Sequence, residues 1–364
     1  MLKILSILLL LSTFIFANEK TYSKEQIEKM IAKMVILGFT GEKVLQGSAL
    51  YRDIKDYDLG GVILFDKDPL NKKKVKNIRS PYQLKQLTNQ LQSISESKLL
   101  ISVDQEGGLV QRMRIANGFT FTPKASDVSK KSITFAKNTY RNLAKTLNEN
   151  GVNVDFAPVV DLAINKKNEV IVTRGRSFGK SPQEVVKYAS IFVDELKKQN
   201  VISVLKHFPG HGSSLSDSHK GFVDISNTWQ QIELEPYKEF IKNDKVDMIM
   251  TAHVFNKFLD PIYPATLSEN INTKLLRDIL GFKGVLISDD LQMSAISKHY
   301  TLEETLTLAI NSGVNMLLFA NQLDRPERLQ TIIRTVYSLI EDKKIDLNKI
   351  IESNKKINEL LKKI

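Results

Sequence analysis

Residues 201–222 read VISVLKHFPGHGSSLSDSHKGF. The apolar run 201–205 is typical of a buried β-strand, and the Pro209–Gly210 step that follows predicts a loop. The loop carries three of the five histidines of the chain, all between positions 207 and 219. Because reactive side chains are usually displayed on loops that follow rigid strands, this stretch predicts a functional site at a strand end.

The same strand-and-loop unit recurs along the chain. Short apolar runs predict strands at 34–39, 61–65, 100–104, 152–157, 202–206, 248–253, 284–288 and 314–320. Amphipathic patterns predict helices at 81–97, 126–150, 182–200, 229–244, 270–280 and 302–311. Apolar strands that alternate with helices imply a parallel sheet covered on both faces. Eight such units predict an α/β fold, a single (β/α)8 barrel of the TIM type, with extra C-terminal helices beyond Asp324.

Composition excludes several classes of protein. The chain has 364 residues, a formal net charge of +11 and no cysteine, so neither a disulfide nor a lipid-modified cysteine is possible. The excess lysines are dispersed and lack interleaved aromatic residues, which indicates a solvated basic surface rather than a nucleic-acid partner. Weak attraction to an anionic polymer is the alternative. No Gly-x-Gly-x-x-Gly follows the first predicted strand, and we expect no dinucleotide or other cofactor.

The first residues have the pattern of a secretory signal peptide. Lys3 precedes the apolar run 4–16, which is too short to span a bilayer comfortably, and the small residue Ala17 follows. We therefore expect a signal peptide at 1–17, a catalytic barrel at 18–364 and an exported, periplasmic protein without a stable membrane span after cleavage. A retained N-terminal anchor is the alternative.

Charged and polar residues follow nearly every predicted strand. They include Asp104, Glu106, Arg112, Asp155, Asp161, Arg174, Arg176, Lys206, His207, His253, Asp289 and Asp290. In a barrel these positions meet at one face, so the pattern favours a pocket for a small, hydroxyl-rich substrate. Asp289 and Asp290 end an apolar strand and are expected to point to opposite sides, so only one can easily serve as a nucleophile at the barrel mouth.

A possible proton-transfer pair lies in the histidine loop. Asp217 and His219 are two residues apart, and in an extended segment their side chains project to the same side. A hydrogen bond from the imidazole to the carboxylate would orient the ring and raise its basicity. The pair is therefore a candidate general acid/base.

Seven segments together resemble glycoside hydrolase family 3, in its single-domain β-N-acetylglucosaminidase (β-hexosaminidase) branch. The segments are 103–108, 111–112, 153–158, 175–178, 206–212, 217–219 and 287–293. The resemblance implies a retaining enzyme that releases terminal β-linked N-acetylglucosamine (GlcNAc) from peptidoglycan fragments (muropeptides) or chitin-type oligosaccharides.

By the same resemblance, Asp289 is the nucleophile, and His219 is the acid/base oriented by Asp217. The implied sugar-binding residues are Asp104, Arg112, Arg176, Lys206 and His207. Two positions depart from the family pattern. Leu109 stands where an arginine is frequent, and Arg174 adds a second guanidinium near Arg176.

Two other functions compete with this interpretation. His207, His211 and His219 could bind zinc in a metal-dependent hydrolase, although Lys206 beside His207 opposes a cation and an early His-x-His is missing. A sugar-binding protein without catalysis is the second alternative, but it would need neither Asp289 nor the Asp217–His219 pair. The sequence predicts neither the aglycone nor the oligomeric state.

Overall fold

The computed structural model describes residues 22–71, 73–215, 221–322 and 326–364. Eight parallel strands form its sheet: β1 (Val35–Gly38), β2 (Gly61–Ile63), β3 (Leu100–Val103), β4 (Val154–Asp155), β5 (Ile202–Phe208), β6 (Met248–Thr251), β7 (Val285–Ile287) and β8 (Leu317–Phe319). Each strand from β1 to β6 pairs with the next along the chain, and β8 pairs with β1. The seam between β7 and β8 is bridged at Ile287 and Met316, and Ser288 N–H donates to the Met316 carbonyl at 3.0 Å. The predicted barrel is confirmed.

Helices cover the outside of the barrel. They are α1 (Lys24–Lys33), α2 (Ala49–Lys55), α3 (Pro81–Ile94), α4 (Ala125–Val128), α5 (Ile133–Glu149), α6 (Pro182–Lys197), α7 (Glu235–Lys242), α8 (Ser294–Ser297), α9 (Leu302–Asn311), α10 (Leu329–Glu341) and α11 (Leu347–Leu361). A π-helix, Asn270–Ile279, connects β6 to β7. No helix in the described ranges is long and apolar enough to cross a membrane. Residues 1–21, which include the predicted signal peptide, lie outside these ranges.

Side-chain caps mark the first turn of most of the described α-helices. Ser181 accepts a hydrogen bond from Glu184 N–H at 3.2 Å and starts α6 with Pro182 in the first turn, as predicted. The single helix predicted at 126–150 is wrong, because Ser132 caps a new helix, α5, by accepting from Phe135 N–H at 3.2 Å. A short α4 precedes it.

The C-terminal segment differs in part from its prediction. α10 follows β8, packs against α1 and α9, and is the eighth helix of the barrel. Among the helices described after β8, only α11 is additional to the eight units of the barrel. It packs against α1 and β7, and Asn354 Nδ2 donates to the Met30 carbonyl at 2.8 Å.

The strands place an apolar core below a polar face. Ile36, Val62, Ile101, Val204 and Leu286 are fully inaccessible to solvent, and burial of such side chains contributes roughly 1.5–3 kcal/mol each. Polar residues begin where the strands end. The carboxyl ends of the parallel strands therefore converge on one side of the molecule, where the candidate site lies.

Candidate active site

A cavity of about 450 Å³ opens at the carboxyl ends of the strands. This volume is in the range of small-molecule sites. Its walls contain all five predicted sugar-binding residues and the predicted nucleophile: Asp104, Arg112, Arg176, Lys206, His207 and Asp289. The predicted acid/base pair, Asp217 and His219, lies outside the described residues. Residues as far apart in the sequence as Asp104 and Asp289 thus line one cavity.

Lys206 is at the centre of a buried charge network. Its Nζ lies 3.0 Å from Asp104 Oδ1 and 2.7 Å from Glu106 Oε1. Arg112 Nη2 donates to Asp104 Oδ2 at 2.9 Å. Arg176 binds Glu106 at two points, at 2.8 Å through Nε and at 2.7 Å through Nη2. Two carboxylates thus hold three cations in fixed positions at the base of the cavity.

The network keeps its members charged despite burial. Burial disfavours the ionised form of Asp104, but Lys206 and Arg112 outweigh that effect and hold its pKa well below the usual range. Burial likewise opposes ionisation of Glu106, yet Arg176 and Lys206 lower its pKa to about 2. Burial also opposes the charge of Lys206, and the two carboxylates raise its pKa. The base of the cavity is therefore a preorganised set of charged donors and acceptors.

Asp161 fixes the orientation of His207. Its Oδ2 is 2.7 Å from His207 Nδ1, and its Oδ1 accepts a hydrogen bond from His207 N–H at 3.2 Å. His207 Nε2 lies 3.4 Å from Arg176 Nη2, an atom that can only donate. A neutral ring with its proton on Nδ1 satisfies both contacts. His207 is thus held as a fixed polar group facing the cavity.

His211 is buried in the root of the histidine loop. Its N–H donates to Asp161 Oδ1 at 2.8 Å, and its Nδ1 lies 2.7 Å from Ser214 Oγ. Burial, followed by the nearby His207, lowers the pKa of His211 to about 4. Gly212 allows this packing, because a Cβ there would lie 1.8 Å from the Leu162 carbonyl oxygen. His211 is therefore almost fully buried at the cavity wall, where its contacts support the histidine loop.

The geometry argues against the zinc alternative. The Nδ1 atoms of His207 and His211 are engaged by Asp161 and Ser214, and the Nε2 atom of His207 faces a guanidinium. Within the described ranges, no group of three or more His, Cys, Asp or Glu side chains could hold a metal ion. His219, the third proposed ligand, lies outside those ranges.

The two aspartates after β7 have different environments. Asp290 Oδ1 accepts hydrogen bonds from Gln292 N–H at 3.2 Å and Ala320 N–H at 3.1 Å, and therefore ties this loop to the end of β8. His253 Nε2 lies 2.9 Å from the Asp290 carbonyl oxygen. Asp289 is partly exposed at the cavity wall, and its Oδ1 accepts from Asp290 N–H at 2.8 Å. Both residues line the cavity, and Asp290 in addition ties the loop to β8.

Sequence reasoning assigned no role to several residues that build this site. Glu106 and Asp161 are buried and hold, respectively, Arg176 and His207. A third omission is Asp66, which follows β2 and binds Arg114 Nε at 2.6 Å on the cavity wall. All three residues follow predicted strands, and this position in the sequence was the only indication that they belong to the site.

Comparisons with known proteins agree on one family. The family model of the glycosyl hydrolase family 3 N-terminal domain matches residues 25–360. The chain is 33% identical over 343 residues to β-hexosaminidase A of Pseudoalteromonas piscicida, a match that covers 85% of this chain but 54% of that relative. It is 33% identical over 298 residues to a β-hexosaminidase of Nitrosomonas eutropha, covering 79% of this chain and 81% of that relative.

A solved structure gives the same result. The family 3 β-N-acetylglucosaminidase of Paenibacillus sp. superposes with a TM-score of 0.83 at 30% identity, covering 92% of this chain and 62% of that one. The chain therefore spans about half to four-fifths of the length of these proteins.

Proposed function

The chain belongs to glycoside hydrolase family 3, and we propose that it is a retaining exo-β-N-acetylglucosaminidase that releases terminal β-linked GlcNAc. One observation carries the proposal: the Asp289 carboxylate lines the same cavity as Asp104, Lys206 and Arg176. Buried Glu106 holds Lys206 and Arg176 in place there. The relatives named β-hexosaminidase or β-N-acetylglucosaminidase support the identity of the sugar.

The charge network is proposed to bind the hydroxyl and acetamido groups of the terminal sugar. Asp104 keeps acceptor capacity beyond its ion pairs, because an ionised carboxylate has about four lone-pair sites. Arg112, Lys206 and Arg176 can donate to sugar oxygens without moving from their carboxylate partners. Because these side chains are already fixed by their ion pairs, they lose little conformational entropy when the substrate binds.

The proposed reaction has two displacements. Asp289 attacks the anomeric carbon, the glycosidic bond breaks, and the leaving oxygen takes a proton from His219. Water then gives a proton to His219 and attacks the anomeric carbon, which releases Asp289 as a carboxylate. Asp217 would orient the imidazole throughout. Two inversions at one carbon give a product with the β configuration of the substrate.

The natural substrate and compartment are part of the proposal. The basic–apolar–small pattern of residues 1–17 supports export to the periplasm. An exported enzyme would meet GlcNAc-containing wall fragments or chitin-type oligosaccharides, and no nucleic-acid partner is invoked.

Chromogenic β-glycosides that differ only at the 2-position, N-acetyl against hydroxyl, test the proposal. We expect turnover of the N-acetyl compound and little of the other. Proton NMR should show the β-anomer first. An initial α-anomer would refute the mechanism, and equal turnover of both glycosides would refute the proposed substrate.

A further inference from the structure

Four arginines line the cavity in the described part of the chain, and they are not equivalent. Three of them have a carboxylate partner: Arg112 pairs with Asp104 at 2.9 Å, Arg114 with Asp66 at 2.6 Å, and Arg176 with Glu106 at 2.7 Å. Arg174, the fourth, is exposed and forms no hydrogen bond or ion pair with any other residue in the described parts of the chain. Its guanidinium therefore adds positive charge that the neighbouring side chains do not neutralise.

The backbone around Arg174 is fixed. Ser126 N–H donates to the Gly175 carbonyl at 3.1 Å, and Arg176 N–H donates to the Ile171 carbonyl at 2.9 Å. Gly175 adopts φ +68°, and a Cβ at that position would lie 2.6 Å from Ser126 Oγ. Because these contacts hold the turn, the side chain of Arg174 extends from a fixed backbone position beside the cavity.

Exposure separates the base of the cavity from its mouth. The side chains of Lys206 and Arg176 at the base are 3% and 9% exposed. Arg174 is exposed and so belongs to the mouth, as does Lys67, a second exposed cation on the cavity wall that follows β2. Asp68 also lines this rim, but its Oδ1 accepts a hydrogen bond from Leu70 N–H at 2.9 Å.

We propose that Arg174 is a specificity-determining residue that recognises a carboxylate on the aglycone, the part of the substrate that leaves. This inference rests on the proposed function. If the terminal sugar binds among the ion pairs at the base of the cavity, the aglycone occupies the mouth. There the guanidinium of Arg174 has no carboxylate partner among the described residues. Guanidinium and carboxylate form two parallel hydrogen bonds, a geometry that a neutral ester or amide does not reproduce.

The test compares two matched substrates. One is the disaccharide of GlcNAc with N-acetylmuramic acid, whose lactyl ether carries a carboxylate, and the other is its lactyl methyl ester. For the wild-type protein we expect kcat/KM to favour the acid by roughly threefold to fivefold, because exposed charged pairs are worth only modest free energies. High salt should reduce that preference through screening.

Variants locate the effect. Arg174→Gln should lower kcat/KM for the acid by roughly threefold to fivefold more than for the ester, and Arg174→Lys should retain part of the preference. Arg334→Gln, which removes an exposed arginine from α10, is the charge-matched control and should keep the wild-type ratio. Turnover of the ester reports in each case that the variant is folded.

The two possible failures are distinguishable. Equal kcat/KM for acid and ester in the wild-type protein, or an equal loss on both in Arg174→Gln, contradicts the role of Arg174 and leaves the proposed function intact. A wild-type protein that cleaves neither disaccharide nor a chromogenic GlcNAc glycoside contradicts the proposed function and, with it, this inference.

Discussion

Arg176 and Glu106 form a two-point ion pair at the base of the cavity, with Nε 2.8 Å from Oε2 and Nη2 2.7 Å from Oε1. Both side chains are at least nine-tenths buried. The pair connects the loop after β4 to the end of β3, so its integrity is expected to affect stability and substrate binding together.

Glu106→Gln should be costly although it is isosteric. It removes the charge that compensates Arg176 and one of the two carboxylates beside Lys206. Breaking a buried pair at one partner costs roughly 3–5 kcal/mol, so we expect a loss of about 3 kcal/mol in the free energy of unfolding and a raised KM. Urea denaturation and steady-state kinetics measure the two effects.

Glu149→Gln is the control for that variant. Glu149 is 58% exposed and pairs with Lys145 at 3.6 Å on the surface of α5, so its loss should change stability by less than about 1 kcal/mol. If Glu106→Gln were as mild as this control, the network would not be the basis of the site.

Much of the fold was predictable because it depends on local pattern. Each apolar run that predicted a strand forms a strand of the barrel. A strand buried on both faces is apolar along its whole length and so stands out in the sequence. The helix boundaries that were missed depend on single side chains. Ser132, for example, caps α5 and so divides one amphipathic stretch into two helices.

The site was predictable only in part. Residues after the strands converge by the geometry of the barrel, which is why Asp104, Lys206 and Asp289 line one cavity. The role of Glu106 depends on a partner 70 residues away, and that of Asp161 on a partner 46 residues away. The sequence carries no signal for which side chains meet across such separations.

Asp161→Asn should disturb His207 more than its small size change suggests. The amide would keep one acceptor, but an NH₂ group would compete with the proton on His207 Nδ1. We expect a loss of about 2 kcal/mol in the free energy of unfolding and a raised KM. Asp127→Asn, at a site 51% exposed and 3.8 Å from Lys124, serves as the control. An unchanged KM would show that Asp161 does not position the ring.

Asp155 should make stability depend on pH in the neutral range. Its Oδ1 accepts from Gln105 N–H at 2.9 Å, whereas Oδ2 is buried without a hydrogen-bond partner in the described structure. Burial raises the pKa of Asp155 to about 8, so the folded protein keeps a proton that the unfolded chain loses near pH 4. This contribution to stability is complete below about pH 4 and is lost as the pH rises towards 8, by up to about 1.4 kcal/mol per pH unit.

The side-chain amide in Asp155→Asn does not ionise in this pH range. Urea denaturation between pH 5 and pH 8 should therefore show a weaker decline in the variant than in the wild-type protein. Identical pH profiles for the two proteins would mean that Asp155 is ionised in the fold.

The N-terminal segment yields a prediction about processing. Mass spectrometry of the native protein should find a mature chain that begins near Asn18, in the periplasmic fraction. Leu9→Arg interrupts the apolar run 4–16 and should leave an unprocessed chain that retains its first residues. Native wild-type protein with Met1 intact in the cytosol would overturn the proposed export.

The most direct measurement of the proposed mechanism is the location of a covalent sugar adduct. If His219 is the acid/base, His219→Ala should slow resolution of the glycosyl-enzyme but still permit attack on dinitrophenyl β-GlcNAc, whose leaving group needs no protonation. Peptide mass spectrometry of this variant, quenched during turnover, should find one N-acetylhexosaminyl group on Asp289. Asp217→Ala should show less adduct, since its imidazole remains, and Asp289→Ala should show none and be inactive. An adduct on another residue, or none in His219→Ala while sugar is released, would contradict the account.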